Sequence, residues 1–307
     1  MKHLYVIGNG FDLRHNMKTS WTHFKNWLIE KDLSVIYTIE ELFADCDDDW
    51  WQSFESNLAT AVISDIVLEE VRENYPDFSS DNFRDSDWYD AEYAVESTLS
   101  EAYNEIRKAF HLWISGLELG DAHKKINLIT EDSTFLTFNY TTTLENLYNI
   151  NKSNILHIHG IAGGDEELIL GHGASIKDIE KMLNDGYPTN PEEGDDFITM
   201  RAKDAAINGV YSQRKGVEGI IRNNEQWFNS LKDITNIYFY GHSFGDVDIP
   251  YFKKILSVVN KTNVMIEVND YNDENKISIN RFMISEGIKP NQYKIISLND
   301  KLLYPPQ

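Results

Sequence analysis

Short apolar runs alternate with helical patterns along this chain, and no other feature of the sequence restricts its fold as strongly. Strand-like runs fall at 4–7, 134–138, 155–159, 168–170, 237–240, 264–268 and 293–297. Each is short and apolar, as strands covered on both faces are. Helical patterns fall at 20–30, 143–148, 176–183, 251–259 and 274–286. The alternation predicts an α/β fold with a doubly wound, mostly parallel sheet. Two stretches, about 39–121 and about 186–232, are longer than a crossover needs and read as helical insertions in a single domain spanning 1–307. The second opens with the loop "GYPTNPEEGDD" and then gathers much of the positive charge.

Charge and cysteine content exclude several function classes. Fifty acidic residues against 28 basic ones give a net charge of −22. Such a surface repels polyphosphate, so nonspecific nucleic-acid binding is disfavoured and any phosphate must find local donors. The lone cysteine, Cys46, rules out an intrachain disulfide and a multi-cysteine zinc site and suits a reducing compartment. No signal peptide and no bilayer-length apolar run is read, so the expectation is a cytoplasmic protein without membrane insertion.

Four segments stand at the carboxyl ends of expected strands, where open α/β sheets bind ligands. In "IGNGFDLRH", Gly8, Asn9, Gly10 and Phe11 form half of a dinucleotide fingerprint, since Leu13 stands where the third glycine belongs. The turn is either a phosphate cradle or a tight turn with Asp12 as a cap, and Asp12 suits ribose hydroxyls or amides better than a pyrophosphate. In "TFLTFNYTTTLE", Asn139 can orient a water or sugar hydroxyl, or bond its own backbone, ahead of a capping box at Thr142 to Glu145. In "ILHIHG", His157 and His159 share a face if the strand stays regular; a histidine at this strand end can act as general base, while His157 is favoured as a satisfied core or orienting histidine. With His172 of "GHG" they are also weighed as a metal cluster, but no acidic residue is spaced to complete it, and no metal is expected.

In "YGHSFGDVD", Gly241, His242, Ser243 and Asp246 follow a strand and suit phosphate or ribose contact. The same residues match the G-x-S-x-G elbow of α/β-hydrolases. That rival needs a histidine after the serine and acid, and none follows His242 in the chain. The triad cannot close.

Together, "IGNGFDLRHNMKTSW", "FNYTTTLE", "HIHG", "LGHG" and "YGHSFGDVD" resemble the AbiH family of bacterial phage-defence proteins, which in turn looks like a remote branch of the sirtuin-like NAD-binding fold. The resemblance implies a sirtuin-like Rossmann variant without a zinc ribbon, with NAD as substrate or ligand. Gly8 and Gly10 match the sirtuin glycine turn, Asp12 replaces a small hydroxyl residue, and Thr141 stands where an aspartate contacts nicotinamide. Asn139 matches a water-holding asparagine, His159 the ribose-side base, Ser243 the adenosine-side turn and Asn269 a ribose contact. The implied activity is hydrolysis of the nicotinamide glycosidic bond. Two further readings stand beside it: a catalytically silent nucleotide sensor, and an interaction module in which the acidic helical insertion, tested around Asp45 to Asp49, docks a phage or host protein or mimics nucleic acid. A homo-oligomer belongs to the same expectation.

Overall fold

A computed structural model describes residues 2–164, 167–187, 195–269 and 273–301. The expected loop falls largely on 188–194, outside the described residues. Chain packing divides the protein into two compact units: Met1–Ser20, His111–Ile169 and Gly216–Gln307 form the first, and Trp21–Phe110 with Leu170–Lys215 the second.

The first unit holds a six-stranded, all-parallel sheet: β1 (Lys2–Ile7), β2 (Ser133–Thr137), β3 (Ile155–His157), β4 (Ile234–Tyr240), β5 (Met265–Asn269) and β6 (Tyr293–Ile296). Their order across the sheet is β3-β2-β1-β4-β5-β6, that of doubly wound dinucleotide-binding sheets. The chain runs outward from β1 through β2 and β3, then returns to lay β4 on the other side of β1. Register fixes this seam, with Ile7 opposite both Thr137 and Tyr240.

Alternate strand residues serve opposite faces. Leu4, Val6, Leu136, Ile237, Phe239, Ile266 and Val268 pack with Phe252 and Ile255 of the helix Ile249–Val258 and with Ile279 and Met283 of the helix Asp273–Ser285. Tyr5, Ile7, Phe135 and Tyr240 pack on the other side with Phe11, Ile126 and Leu144. Both faces are therefore dry, and each fully buried side chain contributes about 1.5–3 kcal/mol.

The run at 168–170 is not a strand. Its backbone is spent elsewhere: the Ile169 N–H donates to the His159 carbonyl at 2.9 Å, and the Ile169 carbonyl accepts from the Tyr140 hydroxyl at 2.8 Å. Leu168 and Leu170 are nonetheless buried, which is why the run reads as strand-like.

The second unit is helical, built from Trp21–Glu30, Val35–Phe43, Ile63–Glu73, Ile176–Gly186, Phe197–Tyr211 and the part of Asp90–Ser115 up to Phe110. An aromatic core binds it, with Trp51 stacked on Phe54 at 5.2 Å and Phe24 edge-on to Phe54 and Phe110. Two acids of the run Asp45 to Asp49 serve the fold: Asp47 accepts the Trp50 N–H at 2.7 Å as an N-cap, and Asp48 pairs with Lys25 at 2.9 Å. "LGHG" is a clasp within this unit. A Cβ on Gly171 would lie 2.1 Å from the Gln213 carbonyl, and the His172 ring donates from Nε2 to the Val210 carbonyl while its Nδ1 accepts the Ala174 N–H.

The sheet seam closes on glycine. A Cβ on Gly241, whose φ is 73°, would sit 2.1 Å from the Phe11 nitrogen. Gly163 has a similar φ of 78°, but a methyl group there would meet nothing within 4 Å. Gly163→Ala should therefore cost only the left-handed backbone strain, about 1 kcal/mol, and Gly241→Ala more than about 3 kcal/mol. Denaturant titration of the two variants checks this; equal midpoints would show that the seam tolerates displacement.

Candidate functional site

The loops after β1, β2, β3 and β4 carry the residues singled out in the sequence. After β1 a six-residue helix, Asn9–Arg14, starts inside the glycine turn with Gly8 as its N-cap. The turn's amides are largely engaged: Gly8 N–H donates to the Tyr240 carbonyl at 2.9 Å, Gly10 N–H to the Gly241 carbonyl at 2.8 Å, and Phe11 N–H to the Gly8 carbonyl at 2.9 Å. Asn9 is exposed, and its side chain donates to the Thr19 carbonyl at 2.9 Å. The two glycines thus let β1 and β4 meet backbone to backbone.

After β4, Asn269 at the end of β5 accepts the Gly241 N–H at 2.7 Å through Oδ1. His242 is buried between Phe138 and Phe252, with ring centroids 4.7 and 4.8 Å away. Its Nδ1 accepts the Phe244 N–H at 3.0 Å, so in the neutral ring the proton is on Nε2, 3.3 Å from Asp248 Oδ2. Backbone strain in the G-H-S-F-G stretch falls on Phe244, whose φ is 60°, and not on Ser243. Ser243 and Asp246 are exposed, and the next helix starts only at Ile249. A nucleophile elbow requires the strained residue to be the serine and the helix to follow at once, so this turn is not one.

Asp12 is the centre of the polar cluster. Its carboxyl is 1% exposed; Oδ2 accepts from Thr141 Oγ1 at 2.5 Å and Oδ1 from Thr143 Oγ1 at 2.6 Å. Burial pushes its pKa from 3.8 up to about 6, although both hydroxyls, the Asn139 amide and the His157 charge favour the ionised form. Asn139 Nδ2 approaches the carboxylate without full hydrogen-bond geometry. Both protonation states are satisfiable. Ionised, the carboxylate accepts from two threonines; protonated, it donates to one threonine oxygen, whose own proton then turns toward the other hydroxyl 3.1 Å away.

The expected capping box is absent. Thr142 makes no side-chain cap on the helix Thr143–Tyr148 and instead accepts from Asn146 Nδ2 at 2.6 Å. Glu145 turns to His157, with Oε1 2.9 Å from Nε2. Burial raises the Glu145 pKa, but the His157 hydrogen bond and charge, with the Glu145 backbone amide and Lys152, together hold it below the usual range. The other ring nitrogen lies 3.3 Å from the Asn139 carbonyl, so His157 joins the loop after β2 to the helix that follows.

The two histidines of "HIHG" do not share a face. β3 ends at His157, and His159 sits in the turn beyond. There alternation fails: Ile158 packs in the core cluster that includes Phe138 and Tyr251, and the His159 ring also meets those two, at 5.2 and 6.0 Å. His159 is 2% exposed, against the rings of Phe138 and Tyr251. Among the described residues no group of three His, Cys, Asp or Glu side chains can hold a metal ion.

Sequence reasoning passed over two residues of this neighbourhood. Thr143 was signalled by the run of three threonines directly after β2, beside an acid that lacks a basic partner. His15 lies one helical turn after Phe11. It donates from Nδ1 to the Phe11 carbonyl at 2.6 Å and accepts from the Tyr148 hydroxyl at 2.8 Å, which itself accepts the Ile126 N–H. Burial lowers its pKa, as suits a ring that pins the Asp12 helix in neutral form.

The Asp12 shift carries a pH signature. Between about pH 4 and pH 6 the folded protein keeps a proton that the unfolded chain releases, so wild-type stability falls as pH rises through that window. Above about 6 the loss is complete, on the order of 3 kcal/mol. Asp12→Asn lacks the titration and keeps acceptor and donor groups for both threonines. Its stability relative to wild type should rise by that amount between pH 4 and pH 7, read from denaturant midpoints. A difference that does not change with pH would mean that Asp12 is charged throughout.

Among the described residues no helix is long and apolar enough to cross a membrane. No curated protein and no solved structure matches the chain. The family model described as bacteriophage abortive infection AbiH matches residues 4–270, from within β1 to the end of β5, with all of the loops just described. The chain therefore belongs to the AbiH family of bacteriophage abortive-infection proteins.

Proposed function

We propose that the chain is a phage-defence effector that binds NAD at the carboxyl edge of its sheet and hydrolyses the bond between nicotinamide and ribose. The observation that carries this reading is Asp12, a buried carboxyl with a pKa of about 6 in the short helix that follows β1, beside Asn139 and Thr141 of the loop after β2. Titratable groups poised near neutrality at the ligand-binding edge of a doubly wound sheet suit acid–base work. The two departures from the sirtuin pattern also lie against each other. Asp12 stands where a hydroxyl is expected and Thr141 where an acid is expected, and the two are hydrogen-bonded.

In the proposed reaction, water oxygen bonds to ribose C1′ as the C1′–nitrogen bond breaks. The bonding pair leaves with neutral nicotinamide, and the water proton passes to a base. A carboxylate near C1′ stabilises the oxocarbenium-like charge, Asn139 orients the water, and His159 takes the proton. The depletion of NAD would halt an infected cell.

A nucleotide sensor without turnover is the second reading. It is favoured by the internal hydrogen bonds of Gly10 and Gly241 and by the enclosure of His159 in aromatic rings. One experiment separates the two. Wild type, Asp12→Asn and His159→Ala are incubated with NAD, alone and in extract of phage-infected cells, and nicotinamide and ADP-ribose are followed by chromatography. Release by wild type and at least a hundredfold loss in both variants is the expected result. Release that both variants retain would remove these residues from the chemistry. NAD binding by calorimetry with no release in either setting would leave the sensor.

A further inference from the structure

The second unit displays a ladder of aromatic rings, exposed but for the half-buried Trp88. Tyr75 meets Phe78 at 6.0 Å, Phe78 meets Trp88 at 4.8 Å, Trp88 meets Phe197 at 6.0 Å, Phe197 meets Tyr89 at 6.0 Å, and Tyr89 meets Tyr93 at 6.5 Å. Phe78 is 48% exposed, Phe197 42% and Tyr93 60%. Single exposed apolar residues are ordinary; a contiguous row is the mark of an interaction surface. The rings are also held in place. The Tyr75 hydroxyl donates to Asp196 at 2.8 Å, and Arg201, bound at 2.7 and 2.5 Å to both carboxylate oxygens of Glu92, lies over the Tyr89 ring.

Charge identifies the partner. Between Tyr75 and Tyr93 the chain has six acids, Asp77, Asp81, Asp85, Asp87, Asp90 and Glu92, and one base, Arg84; Asp196 and Arg201 also lie on this face, Arg201 pairing with Glu92, and the balance stays acidic. Nucleic acid and anionic lipid are repelled by such a face. A second copy would bring the same acids against themselves. Arginine satisfies both features of the face at once, because its guanidinium stacks on tyrosine and tryptophan and binds carboxylates with two parallel hydrogen bonds. Apolar neighbours on the same segment would cover the rings of Phe78 and Phe197.

We propose that this face docks a basic protein segment in which arginines alternate with bulky apolar side chains. The proposal is independent of whether the sheet edge turns over NAD. It also moves the docking site away from Asp45 to Asp49, where Asp47 and Asp48 are occupied within the fold.

The test uses the full chain and three labelled peptides, of alternating arginine and leucine, lysine and leucine, and glutamate and leucine. Binding is followed by fluorescence anisotropy at two salt concentrations. The arginine peptide should bind about tenfold more tightly than the lysine peptide, and its affinity should fall as salt rises. Phe78→Ser with Tyr93→Ser should weaken it by at least tenfold, and Asp81→Asn with Asp85→Asn should do the same. All four positions are exposed, so the denaturation midpoint should stay at the wild-type value, which separates lost binding from lost fold. Arginine-peptide binding that neither double variant changes, or equal binding of the glutamate peptide, overturns the proposal. So does sedimentation that reveals a wild-type dimer lost in the Phe78, Tyr93 variant, since the occupant is then a second copy.

Discussion

Everything at the carboxyl edge of the sheet depends on the approach of two glycine backbones across the seam between β1 and β4. A methyl group on Gly8 would lie 2.6 Å from the Gly241 carbonyl, closer than carbon and oxygen can come. The contact lets Gly10 donate to Gly241, starts the helix Asn9–Arg14 directly after β1, and so carries Asp12 beneath the loop that leaves β2. Asn269 holds the opposing turn from β5. The topological switch of the fold is thus closed by main-chain hydrogen bonds, and the chemistry-bearing side chains lie to one side of it, over β1, β2 and β3.

That placement explains the state of Asp12. In a protein of net charge −22, an acid buried without a cation beside it would ordinarily be excluded or neutralised. Here two hydroxyls and an amide partly replace the lost water, while His157, itself tied to Glu145, adds a favourable field from further away. Burial still wins, and the group is left near neutrality. Hydroxyl donors suit such a site because they can reverse their hydrogen bonds as the proton comes and goes, which a lysine or arginine partner cannot do.

The helical unit has a different economy. Its core is closed by aromatic stacking around Phe54, and its acids at 47 and 48 serve as cap and ion pair. On the stretch from Tyr75 to Tyr93, exposed aromatic rings and six acids occur together.

The sequence by itself determined the strands, their parallel pairing and the glycine turns, because strand burial on two faces imposes continuous apolar runs and a close backbone approach imposes glycine. It also marked the loops that carry Asp12, Asn139 and His157. Tertiary structure decided what those residues meet. Thr141 is 129 positions from Asp12 in the chain, a distance over which no periodicity carries information, and Glu145 left its local cap for a histidine that only strand pairing brings near. The apolar run at 168–170 gave a false strand because burial of a loop leaves the same signal as burial of a strand. Which of His157 and His159 faces the polar cluster depended on where β3 stops. The last ladder pairing with β2 is at Thr137 and His157, and a side chain beyond the final ladder bond is oriented by packing, which alternation in the sequence does not encode.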